Sequence, residues 1–467
     1  MLDGFNKVDL CNVCLLKKFF EKKKSRFCEF TVGEKYMWRS ESDTCFKIDD
    51  DTLYMYEIYD TNKISFYFPI TDNIKKALDY LDNLCLANHF KLKFTCLEKN
   101  ELDYLLKRYK HVKYYSNRDW SDYFYDANSL QTFAGKHLSS KRHNLNKFIK
   151  NNPNYVFHIA NAEDIERIKA FYLFDKSQIA FDNKDEINEY DISLDLIKNF
   201  NKLNQICGYI TIDNNVVAYS IGEVVGDVLF IHLEKALAKE EGCFQAIVNE
   251  FAKSFKDKIK FINREDDNGD PGLRESKIQY HPLEILEKCF FKVENNIDLI
   301  HHMPHIVIDN DIYLDDIKEK DKKEYYKLTV DDELNKYWGY DYRKDISEEN
   351  VNEDNVFEML INDKHNKDDF SFGVFKNNEL VGEIVFHEIE MVNASEIGFR
   401  IIKEYQNKGI MSKAVKAAIS FAFDYLHFDY LKVKCFKENI PSYKLIEKNN
   451  FKKIKEDETF DYFILNR

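Results

Sequence analysis

The chain is poor in the residues that punctuate structure. Only 14 glycines and 6 prolines occur among 467 residues, so collagen-like and Pro/Gly-rich disordered classes are excluded, and domain limits must be read from changes of pattern rather than from linkers. No run of about 18 apolar residues exists, which leaves no segment able to span a membrane as a helix. The stretch Met1 to Leu10 carries Asp3 and Asp9 where a secretion signal needs a basic and then an apolar part, so a cytoplasmic protein is expected. Positive charge is not in excess either. With 82 acidic against 68 basic side chains and a net charge of -14, coating DNA or RNA phosphates is not the main task, although a local basic face remains open. The 10 cysteines lack regular spacing and read as reduced, mostly buried thiols. Cys11 and Cys14 are the one pair suited to zinc, but Cys28 and Cys45 would have to complete the site from a distance, so no metal is assigned.

What is abundant is apolar and aromatic: 44% hydrophobic residues, with 38 Phe and 29 Tyr. A chain this long exceeds one core, and two to four units are expected. Thr52 to Phe68 alternates as a strand hairpin, Asp72 to Leu84 has helical spacing, and Lys91 to Thr95 is strand-like again. A second round follows. Lys136 to Lys150 reads as a basic helix, Val156 to Ile159 as a strand, Asp164 to Phe174 as a helix, and Ile206 to Ile212 with Val216 to Val224 as a hairpin across Asp213-Asn214-Asn215. Val228 to Leu233 continues the sheet, Gly242 to Phe255 is helical, and Phe261 to Asn263 is a short strand. After His301, His302 and His305, read as solvent-exposed imidazoles in a linker at 301–310, the order restarts. Strand Ile312 to Leu314, helix Lys318 to Lys327 and a hairpin of Phe370 to Phe375 with Leu380 to Glu388 then follow. The repetition predicts an α+β protein of three units near 1–150, 151–300 and 311–467, each a mixed, mostly antiparallel sheet flanked by helices.

The third unit carries the clearest chemistry. Strand Glu396 to Ile402 runs through Lys403-Glu404-Tyr405 into Gln406-Asn407-Lys408-Gly409-Ile410-Met411 and a helix from Ser412 to Tyr425. A strand, tight loop and helix N-terminus together direct free amides and a positive dipole end at one point, which suits a pyrophosphate. Strand Tyr430 to Phe436 then leads to Asn439-Ile440-Pro441-Ser442 and on to Asn449-Asn450-Phe451.

This stretch resembles the GNAT superfamily, nearest the branch that acetylates ribosomal-protein N-termini. The resemblance implies a GNAT-like fold and acetyl-coenzyme A as cofactor. It implies that Gln406, Asn407, Lys408, Gly409, Ile410, Met411 and Ser412 cradle the pyrophosphate, that Ile401 and Ile402 pair with the pantetheine arm, and that Asn439 and Ser442 close over the cofactor. Two positions depart from the family pattern: Met411 is bulkier than the usual Ala or Gly, and Asn450 replaces a turn glycine. Direct attack of an amine on a thioester needs a base and a proton donor. Glu396 is the first choice of base, with a salt-bridged strand carboxylate as the bland reading and Glu383 and His387 as substitutes. Tyr443 either protonates the leaving thiolate or belongs to the core.

Earlier segments, Gly135-Lys136 through Lys141-Arg142-His143-Asn144 to Phe148, His232-Leu233-Glu234, and Arg264-Glu265-Asp266-Asp267-Asn268-Gly269-Asp270-Pro271-Gly272-Leu273-Arg274, resemble the phosphatidylglycerol lysyltransferase C-terminal family. That family is a tandem of two GNAT-like folds. Full lysyltransferases carry a membrane-embedded half with no counterpart in this sequence, so lysylation of lipid is not carried over. The basic helix suits a tRNA end, or is a solvated face. The acidic loop suits a cationic amino group or a metal, or pairs with Arg264 and Arg274. Gly242 marks a weaker copy of the phosphate loop, and Glu234, Gly242, Arg264, Asp266 and Arg274 are the second-site candidates. The function expected is acetyl transfer to a primary amine, either a protein N-terminus or a small molecule. The alternatives are aminoacyl transfer from tRNA through the N-terminal tandem, or a non-catalytic scaffold.

Overall fold

The structure, a computed structural model, describes residues 2–59, 63–88, 90–177, 184–366, 369–390 and 393–467. The turn of the expected hairpin between Thr52 and Phe68 falls at 60–62, outside the described residues. By compactness the chain forms two units, one of Met1–Ala77, Lys93–Leu102 and Tyr114–Phe291, the other of Leu78–Leu92, Asp103–Lys113 and Lys292–Arg467.

Three mixed sheets are present, of seven, seven and eight strands. The first runs Asn6–Lys7, Cys45–Asp49, Thr52–Tyr59, Lys63–Phe66, Lys93–Leu97, Cys289–Val293, Val112–Ser116. The second runs Glu284–Leu286, Asp122–Asp126, Phe261–Asn263, Val228–Ala236, Asn215–Val225, Ile206–Ile212, Val156–Ile159. Sheet order therefore departs from chain order: Asp122–Asp126 leaves the first sheet for the second, and Cys289–Val293 returns to the first. The third sheet runs Ile306–Asp309, Ile312–Asp315, Phe370–Lys376, Glu379–Glu390, Ala394–Ile401, Tyr430–Phe436, Phe460–Asn466, Lys452–Glu456. Each sheet holds a parallel pairing, at Lys63–Phe66 with Lys93–Leu97, at Val228–Ala236 with Phe261–Asn263, and at Ala394–Ile401 with Tyr430–Phe436. This shared feature is the architectural form of the repeated element order.

Local chemistry explains the turns. In the second sheet Asp213 and Asn214 take φ 48° and 69°, and in the third Asn377 and Asn378 take 51° and 66°. Two consecutive left-handed residues make the turn that matches strand twist, and Asn and Asp enter that region at low cost. Asn450, at φ 65°, tolerates the turn where a glycine is usual. The helix Ile410–Ser420 buries Ile410, Met411, Ala414, Val415 and Ala418 along one stripe, and these join Ile384, Phe386, Ile397 and Leu431 in the core beneath the third sheet. Met411 thus turns inward. Its terminal methyl is close enough that a Cβ on Gly382 would stand 3.2 Å from it, so its bulk is taken up by the core and not by the loop. Among the described residues no helix is long and apolar enough to cross a membrane.

Candidate active site

The site begins where two strands part. Ala394, Ser395 and Glu396 pair with Tyr430, Leu431 and Lys432. Beyond them Ala394–Ile401 stays registered on Glu379–Glu390, and Tyr430–Phe436 on Phe460–Asn466, but not on each other. The strand edge from Ile397 onward therefore faces a gap. Alternation turns the carbonyl of Ile397 and the peptide groups of Phe399 and Ile401 into it. Ile402, expected beside them, is already engaged: its N–H donates to the Val381 carbonyl at 3.0 Å, and its carbonyl accepts from Tyr405 at 3.0 Å.

The chain then turns through Lys403–Tyr405 into the helix Ile410–Ser420. The Gln406 side chain ties the loop back to the Ile401 carbonyl at 3.2 Å, and Asn407 takes φ 58°. Among the described residues, the N–H groups of Asn407, Lys408, Gly409, Ile410, Met411 and Ser412 donate to no protein acceptor. Six unpaired amides at a helix N-terminus form a strong anion field. Gly409 sits at φ 77°, and a Cβ there would meet nothing within 4 Å. The space above the loop is open, and the residues present fit a pyrophosphate.

Glu396, Gly398 and Arg400 share one sheet face with their cross-strand partners His387, Val385 and Glu383. Glu396 and His387 line a cavity of about 960 Å³, together with Ile401, Gln406, Asn407, Gly409, Ile410, Met411 and Ser412. Their Oε1 and Nε2 atoms lie 3.8 Å apart. Burial, with Glu388 adding repulsion, pushes the Glu396 carboxyl up, and burial pulls the His387 imidazole down, so His387 is neutral at pH 7 and free to accept a proton. Glu383 is not such a group. It is 3% exposed and receives two bonds from Arg400, from Nε at 3.0 Å and Nη2 at 2.8 Å.

On the helix Ile440–Lys448, Asn439, Ser442, Leu445 and Ile446 line the cavity. Asn439 spends its side-chain oxygen on the Ser442 N–H at 3.3 Å, capping the helix. Tyr443, proposed from sequence as proton donor, is not among the lining residues and sets its ring edge-on to Phe463 at 5.4 Å. Ser442, one position earlier, lines the cavity. Sequence reasoning also missed Arg400 and Trp338. The guanidinium stacks 4.3 Å over the indole, which lies against Gly398 and walls the cavity.

Residues 20–290 match the family described as phosphatidylglycerol lysyltransferase, C-terminal, and residues 311–452 match the acetyltransferase (GNAT) domain. An uncharacterized N-acetyltransferase of Bacillus subtilis (strain 168) is 30% identical over 131 residues, 28% of this chain and 72% of that protein. The chain belongs to both families. The ribosomal-protein-serine acetyltransferase of Escherichia coli (strain K12) is 33% identical over 81 residues, 17% of this chain and 45% of its own. A crystal structure of a conserved protein of unknown function from Bacteroides thetaiotaomicron VPI-5482 matches 63% of this chain and 100% of its own at 24% identity and a TM-score of 0.57, a likeness of fold.

The lysyltransferase-type domain holds its own cavity of about 530 Å³, lined by Glu234, Arg264 and Asp266 among others. Gly242 and Arg274 lie outside it. Arg264 and Glu234 form a buried pair at 2.5 Å, while the Nη1 of Arg264 has no hydrogen bond. Burial pushes the Asp266 carboxyl up to about 6 despite Lys288 at 3.7 Å. Burial pulls His232 down, but bonds to Glu223 at 3.2 Å and Glu265 at 2.7 Å outweigh it and raise it to about 10. Arg274 instead holds Asp267 at 2.6 Å and Asp119 at 2.6 Å.

Two sequence readings change here. At Gly242, the weaker copy of the phosphate loop, a Cβ would stand 2.1 Å from the Asn144 carbonyl oxygen, so the helix Ser139–Asn151 covers the spot that is open at Gly409. That same helix is not a free cationic face. Lys141 is 7% exposed, lies 4.4 Å over the Tyr280 ring and bonds Gln279 at 2.9 Å. Arg142 donates to the Phe133 and Gly135 carbonyls, and Lys147 pairs with Glu241 at 2.5 Å.

Proposed function

We propose that the GNAT domain binds acetyl-coenzyme A and transfers the acetyl group to a primary amine. The observation that carries this reading is the set of free amides from Asn407 to Ser412 beside the gap between Ala394–Ile401 and Tyr430–Phe436. When bound, the cofactor supplies an acyl carbonyl activated as a thioester. The loop amides neutralise the diphosphate, and the exposed edge at Ile397, Phe399 and Ile401 offers backbone partners to an extended amide-bearing arm. Such an arm points toward Glu396 and His387, where the amine proton is taken up at Oε1 or Nε2, directly or through a water bridging the 3.8 Å between them. The Ser442 hydroxyl is the proton donor for the departing sulfur.

Isothermal titration with coenzyme A, followed by mass analysis of acetylated amines, tests this. Micromolar binding that is lost in Gly409→Trp supports it; equal binding by both proteins overturns it. Full affinity with no turnover on a broad amine panel would favour a ligand-holding scaffold instead.

A second reading applies to the lysyltransferase-type domain: transfer of an aminoacyl group from tRNA. Its support is the cavity of that domain, whose wall carries an Arg264 Nη1 with no hydrogen-bond partner. Retention of charged tRNA by the whole chain, weakened by Lys136→Glu with Lys150→Glu, would sustain it, and absence of retention would remove it.

A further inference from the structure

We infer that Trp338 sets the length of the acyl group that the GNAT domain accepts, holding it to the two carbons of acetyl. This deepens the acetyl-transfer reading and rests on it.

Gly398 is the second residue beyond Glu396, the last position at which the two parting strands are still paired. It shares a sheet face with Glu396 and Arg400, and because it has no side chain it leaves a notch in that face between the carboxyl and the guanidinium. The notch is not empty. A carbon built at the Cβ position of Gly398 would stand 3.0 Å from Val385 Cγ1, 3.4 Å from Trp338 Cη2 and 3.6 Å from Trp338 Cζ3. The benzene edge of the indole therefore takes the space that a side chain would take, and with Val385 it closes this part of the cavity wall.

That wall is held from behind. The Arg400 guanidinium lies 4.3 Å over the indole and is itself fixed by Glu383, at 3.0 and 2.8 Å, and by Asn335 Oδ1 at 3.1 Å. Asn335 also accepts the Trp338 N–H at its carbonyl, at 3.1 Å. One arginine thus stacks on the indole and anchors the turn that presents it, so displacing the ring breaks several contacts together.

An arm seated on the amides of 407–412 and following the strand edge past Ile401 and Phe399 ends where that edge ends, beside Gly398. Two directions are closed to its acyl group there. Ile397 is 2% exposed and packs into the core beneath the sheet with Ile384 and Leu431, and Ala394, Ser395 and Glu396 are sealed by their pairing with Tyr430, Leu431 and Lys432. What remains is the face of Gly398, where Trp338 stands, and the space the amine must enter. Acetyl carries a single carbon beyond its carbonyl and stops short of both; each further methylene presses on the indole or takes the place of the amine.

Isothermal titration of the whole chain with coenzyme A, acetyl-coenzyme A and butanoyl-coenzyme A reads this limit without turnover, and is repeated on Trp338→Ala and Trp338→Phe. The wild type is expected to bind coenzyme A and acetyl-coenzyme A alike, and butanoyl-coenzyme A about tenfold or more weaker. In Trp338→Ala the butanoyl thioester should come within about threefold of acetyl, with coenzyme A affinity unchanged and Trp338→Phe in between. The kcat/KM values of the two thioesters with one amine should follow the same order. Coenzyme A binding with equal affinity for butanoyl and acetyl in the wild type overturns the assignment to Trp338 alone, as does a preference that survives in both variants or a loss of coenzyme A itself in both. Failure of the wild type to bind coenzyme A overturns the acetyl-transfer reading, and the assignment with it.

Discussion

His387 and Glu396 face each other across two antiparallel strands, Nε2 3.8 Å from Oε1, with opposite displacements of their proton affinities. Burial holds the imidazole below its ordinary value, so it is in its proton-accepting form above the ordinary histidine range, while burial holds the carboxyl above its own value and makes it a stronger proton acceptor than a free glutamate. The acetylation rate should therefore rise with pH on the acid side and level off near neutrality. Glu396→Gln should lower kcat by about 100-fold, the usual scale of a lost general base, while coenzyme A affinity is retained. A larger loss in His387→Ala than in Glu396→Gln would move the role of base to the imidazole.

Gly409 and Gly242 begin helices in the same left-handed conformation, at φ 77° and 80°, but their surroundings differ. Gly409→Val should weaken coenzyme A binding by about tenfold or more, at a stability cost of about 1–2 kcal/mol from the left-handed backbone alone, because the added side chain meets no neighbour and enters the space where the backbone must approach a ligand. Gly242→Ala should instead cost about 2–3 kcal/mol of stability through collision with Asn144. Chemical denaturation and titration of both variants separate the two effects.

Arg400 and Glu383 are 6% and 3% exposed. Arg400→Met leaves a buried carboxylate unpaired and should destabilise the GNAT domain by about 3 kcal/mol. Loss of the stacked support for Trp338 should also raise KM for the amine, a change that destabilisation alone does not produce. Steady-state kinetics well below the melting temperature would show it.

Raising pH should weaken the lysyltransferase-type domain. His232, at about 10 in the fold against 6.5 unfolded, binds its proton more tightly when folded, so its contribution is complete below 6.5 and lost as pH climbs through 10. Glu34, pushed by burial from 4.5 to about 8, acts in the same direction between those values. Melting temperature should fall steadily from pH 7 to 10, and His232→Gln should flatten the upper part of that slope.

Much of the fold was legible because its signals are local. Tyr430–Phe436 alternates over its full length, Asp213-Asn214 and Asn377-Asn378 force tight turns, and Ile410, Ala414 and Ala418 mark a single helical stripe. The loop of free amides at 407–412 was legible for the same reason, since one left-handed glycine between strand and helix sets it. Contacts made by distant segments were not. Trp338 reaches Arg400 from a loop far earlier in the chain, and neither residue type announces the meeting. Ser442 and Tyr443 are neighbours, so only helix phase decides which of them lines the cavity. Nothing in Lys141 or Arg142 distinguishes a surface cation from one laid across Tyr280 or bonded to a carbonyl.

The return of Cys289–Val293 to the first sheet governs how this protein is born. A ribosome that has released the first 150 residues has delivered most of that sheet without the strand next to Lys93–Leu97, and the wait lasts until almost the entire lysyltransferase-type region has emerged. Two seven-stranded layers must then close nearly together, slowly, since pairings between remote segments precede their reward. Fragments ending near residue 150 should accordingly be targets for chaperones, whereas the C-terminal domain starts folding only behind a completed neighbour.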